Sequence, residues 1–97
     1  MSYREHIVAD RRLCLVRALS EEPNGTLNET SLQRAAEAYG HHVSVHAIKA
    51  DLRWLADVDA VTVVEVAGYL VATLTALGED HAQHRTIIKG IARPRLD

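Results

Sequence analysis

The sequence contains no phenylalanine, one cysteine and one tryptophan. With so few aromatic residues, a folded core must be built from leucine, valine, isoleucine and alanine. The single cysteine, Cys14, excludes an internal disulfide bond. Because it lies in an apolar helical stretch, we expect a buried, reduced thiol, as is usual in a reducing compartment.

Long hydrophobic runs are also absent, since no uninterrupted apolar stretch approaches the roughly 20 residues that cross a bilayer. The charged residues 1–10 lack the apolar core of a signal peptide. We therefore expect no membrane association and a cytoplasmic location. A length of 97 residues, with 47% hydrophobic and 25% charged residues, is typical of one small globular domain.

The chain has no strong charge bias, because its formal net charge is -2. No long-range field draws such a protein toward phosphate, so any charge that binds nucleic acid must be local. Basic residues accumulate near the C-terminus, at Arg85, Lys89, Arg93 and Arg95. We predict a domain over 1–88 and a basic, loosely ordered tail over 89–97. The tail is either a solvated end or an arm that contacts phosphate.

The first helix is predicted from Tyr3 to about Ser20. One broad apolar face contains Ile7, Val8, Leu15, Ala18 and Leu19. Leu13 and Val16 lie well round the helix from that face, which is more apolar surface than a one-sided helix needs. Either this second surface meets another protomer, or Leu13 is a lone exposed apolar residue.

Two further helices follow a turn at residues 23–25. We predict a short extended piece from Thr26 to Asn28. Either Thr26 or Asn28 then caps a helix that runs to about Tyr39. Gly40 suits the left-handed position at its end. Ser44 caps a third helix whose apolar stripe comprises Val45, Ile48, Leu52 and Leu55. Two helices joined by so short a turn indicate a helix-turn-helix.

Beyond Asp59 the pattern changes to that of a β-hairpin. Residues 61–66 and 69–75 are rich in valine, threonine and leucine and flank Ala67-Gly68. A final helix of about eight to ten residues is expected after Thr75. The fold class is therefore α+β, mainly α: a winged helix-turn-helix with a three-helix core, a hairpin wing and a short C-terminal helix.

Four segments resemble a family of small winged-helix proteins carried by Mu-like phages and prophages. They are Ser2-Tyr3-Arg4-Glu5-His6, Asp10-Arg11-Arg12-Leu13, Asp51-Leu52-Arg53-Trp54-Leu55 and Thr73-Leu74-Thr75 with Gly78. The wing and the Leu-Thr-x-x-Gly exit are also similar to many bacterial winged-helix transcriptional regulators. This resemblance implies a phage-derived gene in a bacterial cytoplasm. It implies no catalytic residues.

In a helix-turn-helix the second helix lies in the major groove. The face opposite its apolar stripe defines the candidate DNA-binding residues: Ser44, His46, Ala47, Lys49, Ala50 and Arg53. Lys49 and Arg53 can contact guanine or phosphate, and the small alanines permit close approach. Asp51 is expected to weaken this surface. Arg93 and Arg95 add phosphate contacts from the tail. An ordinary solvated helix face is the alternative.

The wing carries no lysine or arginine, since none occurs between Trp54 and His81. We therefore expect its outer face to pack on protein, either a second protomer or the C-terminal segment, rather than follow DNA. The predicted dimer or partner interface comprises Ile7, Leu13, Val16, Val64, Val66, Tyr69 and Val71. The assignment of the four hairpin residues to one face depends on a two-residue loop at Ala67-Gly68. A three-residue loop with Gly68 left-handed is the alternative, and it would exchange the faces of one strand. Trp54 is expected to be a half-buried packing residue near the wing.

Six histidines invite a metal site, with His42 and His46 four residues apart and His81 and His84 three apart. We expect surface histidines, no metal and no cofactor, because His42 precedes the helix and Cys14 is on another one. No phosphate-binding glycine loop or nucleophile motif predicts an enzyme. The predicted function is a homodimeric, double-stranded-DNA-binding phage regulator or accessory factor. The alternative is an interaction module for a phage or host protein.

Overall fold

The computed structural model describes residues 2–95. Over these residues the fold is mixed α+β and mainly helical, with four helices and a three-stranded antiparallel sheet of order β1-β3-β2. The elements are α1 (Tyr3–Glu21), β1 (Thr26–Asn28), α2 (Glu29–Ala38), α3 (Val45–Asp57), β2 (Val61–Val66), β3 (Tyr69–Leu74) and α4 (Ala76–Ala82). This order is compatible with the predicted winged helix-turn-helix. No helix of this part of the chain is long and apolar enough to span a membrane.

The helices begin at side-chain caps. Each capping oxygen accepts a hydrogen bond from the backbone N–H three residues further along, and the caps are Ser2, Asn28, Ser44 and Thr75. Of the two candidates for α2, Asn28 is the cap. The Thr26 hydroxyl instead lies 2.9 Å from that of Thr73, across the β1-β3 pair. Gly40 ends α2 with φ 92°, as predicted.

The hairpin has a two-residue loop. Val66 pairs with Tyr69, and Ala67 and Gly68 both have positive φ, 52° and 84°. That combination is the tight hairpin turn that matches strand twist, so the three-residue alternative is excluded. The predicted outer face is confirmed, because Val64 pairs with Val71 and Val66 with Tyr69 on the side away from the buried Leu70 and Ala72.

Two residues of the predicted dimer or partner interface are part of the core. Leu13 and Val16 are 6% and 0% exposed, so neither is available to a partner. Helix α1 packs against α2, α4 and β3, and these elements use its wide apolar circumference within one chain. The excess apolar surface on α1 therefore reports a central helix and not a dimer interface. The rest of the core contains Leu15, Leu19, Leu32, Ala36, Ile48, Leu52, Leu55, Ala60, Val61, Leu70, Ala72, Ile88 and Ile91.

Helix α4 has seven residues and is shorter than predicted. It packs closely against Ala60, the residue before β2. A Cβ at Gly78 would lie 2.2 Å from the Ala60 carbonyl oxygen, so glycine permits this close approach. The chain after α4 then turns back over α1.

The C-terminal segment, residues 88–95, packs against the rest of the protein. The predicted end of the domain at residue 88 is therefore wrong. Ile88 and Ile91 are buried, and the Ala92 N–H donates to the Ala9 carbonyl at 3.0 Å. Residues 89–95 thus belong to the folded domain and are not a loose tail. Leu96 and Asp97, the last two residues of the predicted tail, lie outside the described residues.

Candidate nucleic-acid interface

One face of α3 is buried and the opposite face is open. Ile48, Leu52 and Leu55 are fully buried. His46, Ala50, Arg53 and Asp57 are exposed and recur at helical spacing along the other side. The helix is therefore fixed to the core by its apolar stripe and presents a ligand-accessible line of side chains.

The other predicted residues of α3 and its cap are less available to a ligand, because they are part-buried or contact other groups of the protein. The Ser44 hydroxyl accepts from the Ala47 N–H at 3.2 Å, and Ala47 is half-buried. The Lys49 ammonium lies 3.6 Å from a carboxylate oxygen of the buried Glu29, whose other oxygen accepts from the Leu70 N–H. Lys49 is therefore held toward the β2-β3 hairpin. Of the predicted residues, His46, Ala50 and Arg53 form the exposed line along α3, and the exposed Ser44 is its N-terminal cap.

Asp51 does not weaken this surface as expected, because it lies inside the protein. It is 3% exposed, and both its carboxylate oxygens accept from the Arg11 guanidinium of α1, one of them at 3.0 Å. The hydrogen bond to Asp51 raises the pKa of Arg11 above its ordinary value. The charge of Asp51 is compensated there, and the pair joins α1 to α3.

Trp54 is half-buried, as predicted, but its ring lies against α1 and the C-terminal segment. The Arg12 guanidinium carbon is 3.7 Å from the ring centroid, and Arg12 also donates to the Gly90 carbonyl at 3.0 Å. Burial lowers the pKa of Arg12. A Cβ on Gly90, which has φ 99°, would lie 2.5 Å from the ring. This stacked arrangement holds residue 90 beside α3.

The C-terminal segment is held by hydrogen bonds with His81 and carries two exposed arginines. His81 is fully buried, which corrects the prediction of a surface histidine. Its Nδ1 accepts from the Ile88 N–H at 3.0 Å, and its Nε2 lies 2.9 Å from the Ala92 carbonyl, to which it donates. Arg93 and Arg95 are exposed on either side of the buried Pro94.

The outer face of the β2-β3 hairpin, the predicted wing, is exposed and apolar, so residues 89–95 of the C-terminal segment do not cover it. Val64, Val66 and Tyr69 are 59%, 56% and 56% exposed, and Val71 is half-buried. We call these four residues the wing patch. Toward the base of the sheet the same face continues with threonine, at Thr62 and Thr73. Ile7, on α1, is also exposed. The hairpin therefore presents a surface for apolar contact, and residues 61–74 include no lysine or arginine.

Sequence reasoning missed the polar contacts that position α3. A usable signal existed for Asp51, because residues 48, 51, 52 and 55 follow the i, i+3, i+4, i+7 spacing of a buried helical face. An acid at such a position predicts a cationic partner. Nothing in the sequence identifies that partner as Arg11, forty residues away.

Two known proteins are similar to this chain. Protein gp26 of Escherichia phage Mu is 40% identical over 89 residues, which covers 92% of each chain. A protein of Haemophilus influenzae is 34% identical over 76 residues, covering 77% of this chain and 74% of that one. Neither name assigns an activity. No protein-family model matches the sequence, and no solved structure matches it with significance.

Proposed function

This chain belongs to the family of gp26 of Escherichia phage Mu, and we propose that it is a winged-helix protein that binds duplex DNA through α3. It acts in the bacterial host cytoplasm as a phage or prophage regulator or accessory factor, by binding rather than by catalysis. The observation that carries the proposal is the exposed line of His46, Ala50 and Arg53 on a helix anchored from behind.

The arrangement of α2, the turn and α3 supports this use. In a helix-turn-helix the second helix enters the major groove and the first crosses the phosphate backbone. Arg34 is exposed on α2 and Arg53 on α3, so each helix presents one arginine. The small Ala50 lets α3 approach the base edges. With a net charge of -2, affinity comes from these local contacts, and non-specific binding is expected near 10⁻⁴–10⁻⁶ M at about physiological salt.

Replacing Arg53 by alanine is expected to weaken binding to random duplex DNA about fivefold. The substitution removes one cation from the groove-facing side, so the slope of log affinity against log salt should also fall by about one. Fluorescence polarisation of a labelled duplex, measured at several salt concentrations from low salt upward, gives both quantities.

The matched control is Arg17→Ala, which removes the same charge from the exposed side of α1. It should leave affinity and salt slope close to those of the unaltered protein. Equal losses in the two variants would assign binding to net charge alone. No binding of the unaltered protein at micromolar concentration and low salt would contradict the DNA proposal.

A second candidate function is supported by the wing patch: an interaction module for a second protomer or for a phage or host protein. Exposed valines and a tyrosine on a wing without cations suit apolar contact better than contact with phosphate. A second protomer seated there would also provide the paired recognition helices of a two-fold DNA-binding dimer.

Val66→Glu is expected to dissociate such a dimer, raising its dissociation constant more than tenfold, because it buries a charge in an apolar contact. Sedimentation velocity over a concentration series measures this. Thr62→Glu places the same charge on the outer face near the base of the strand and should leave association unchanged. A monomer at every concentration would contradict the homodimer, and equal effects of both variants would exclude the wing patch.

A further inference from the structure

Three potential metal ligands meet where α1 passes the turn between α2 and α3. Asp10 and Cys14 are four residues apart on α1, so they lie on the same face. His41 comes directly after Gly40, and its Nε2 lies 2.7 Å from an Asp10 carboxylate oxygen. The ligand atoms of all three side chains lie within 4.8 Å of one another.

The turn that places His41 is itself well defined. Its N–H donates to the Ala36 carbonyl at 2.9 Å, which closes the end of α2 after the left-handed Gly40. The His41 side chain is 11% exposed and directed at α1, whereas the adjacent His42 is exposed to solvent. Cys14 is buried. The cluster therefore combines two ligands on one rigid helix with a third on a fixed turn.

We propose that Asp10, Cys14 and His41 bind Zn²⁺, with the fourth position open to water. The donor set contains one sulfur, one imidazole nitrogen and one carboxylate oxygen. Sulfur and imidazole select Zn²⁺ over Mg²⁺ and Ca²⁺, which take oxygen ligands. Three protein ligands and an open position form one of the two coordination patterns that zinc adopts in proteins.

The spacing requires little rearrangement. Metal–ligand distances of about 2.0–2.3 Å place tetrahedral ligands roughly 3.3–3.8 Å apart. Separations between 2.7 Å and 4.8 Å reach this range by side-chain rotation. A hydrogen bond between Asp10 and His41 explains why these two side chains are close together. It does not explain why the Cys14 thiol lies within 4.8 Å of both. Burial raises the pKa of Cys14 to about 11, so the ion must displace the thiol proton.

The site lies in the turn of the helix-turn-helix, so a bound ion would join that turn to α1. Binding would therefore stabilise the placement of α2 and α3. The inference stands apart from DNA binding, because it rests on the inner side of the turn and its experiment uses no nucleic acid.

Titration of the metal-free, reduced protein with Co²⁺ tests the proposal, since cobalt reports tetrahedral thiolate coordination by absorption. We expect thiolate-to-cobalt charge-transfer bands at one equivalent, displaced by one equivalent of Zn²⁺, and a rise in Tm with Zn²⁺. His41→Ala should weaken binding more than about tenfold, and Cys14→Ala should abolish the charge-transfer bands. Circular dichroism establishes that each variant is folded.

The matched control is His42→Ala, which removes the neighbouring solvent-exposed histidine and should bind Co²⁺ as the unaltered protein does. Absence of charge-transfer absorption in the unaltered protein would overturn the proposal. So would a His41→Ala variant that binds as tightly as His42→Ala, because the turn histidine would then not be a ligand.

Discussion

Asp51→Ala is expected to lower the free energy of unfolding by about 3–5 kcal/mol, the cost of breaking a buried ion pair by removing one partner. For a domain of this size the total is about 5–15 kcal/mol. The substitution should therefore remove a large share of the total stability. Urea denaturation followed by circular dichroism measures the change.

The effect is large because most of the Arg11 side chain is shielded from water. The Arg11 and Asp51 side chains are 12% and 4% exposed. Removing the carboxylate takes away both acceptors of the Arg11 guanidinium and leaves its charge between α1 and α3. The hydrogen bonds also fix the rotation of α3, so any DNA affinity should fall with stability in this variant.

Asp57→Ala is the control, because Asp57 is an exposed aspartate on the same helix. Surface substitutions of this kind usually change stability little. A double variant, Arg11→Met with Asp51→Leu, removes both charges and should recover much of the loss. If Asp51→Ala were as stable as Asp57→Ala, the pair would not be a structural contact between the helices.

The order of elements could be predicted from the sequence because its signals are local. Asn28, Ser44 and Thr75 are caps whose partners lie three residues away, and Gly40 needs only its own left-handed conformation. The two-residue turn at Ala67-Gly68 likewise fixed the strand faces. The exposed faces of α3 and of the wing followed from these local features.

The errors concern contacts between residues far apart in the chain. The pattern of α1 places Leu13 and Val16 at an interface because periodicity shows that a helix has a second apolar side, but not what covers that side. The sequence likewise predicts a surface charge at Asp51 and a free cation at Lys49, because their partners, Arg11 and Glu29, lie on other helices. The charges that the candidate site presents to a ligand therefore depend on tertiary pairing.

The C-terminal segment shows the same limit most clearly. Its basic composition predicts solvation, and composition carries no information about a buried histidine that holds it. His81 lies in α4 and binds backbone groups seven and eleven residues further along, at Ile88 and Ala92. The folded position of Arg93 and Arg95 follows from these contacts.

His81→Ala is expected to lower the free energy of unfolding by about 3 kcal/mol and to release residues 88–95 from the core. The substitution leaves a cavity at a fully buried ring and removes one buried and one part-buried hydrogen bond. Urea denaturation measures the stability. Hydrogen exchange at the amides of Ile88, bonded to His81, and Ala92, bonded to Ala9, measures the release.

His81→Phe separates the two contributions, because it keeps a ring but neither hydrogen bond. Its stability should lie between those of the unaltered protein and His81→Ala, with faster exchange at the Ile88 amide. The control is His6→Ala, an exposed histidine on α1, which should leave stability and exchange unchanged. If His81→Phe exchanged at Ile88 as slowly as the unaltered protein, ring packing alone would hold the C-terminal segment, and the imidazole nitrogens would not be its anchor.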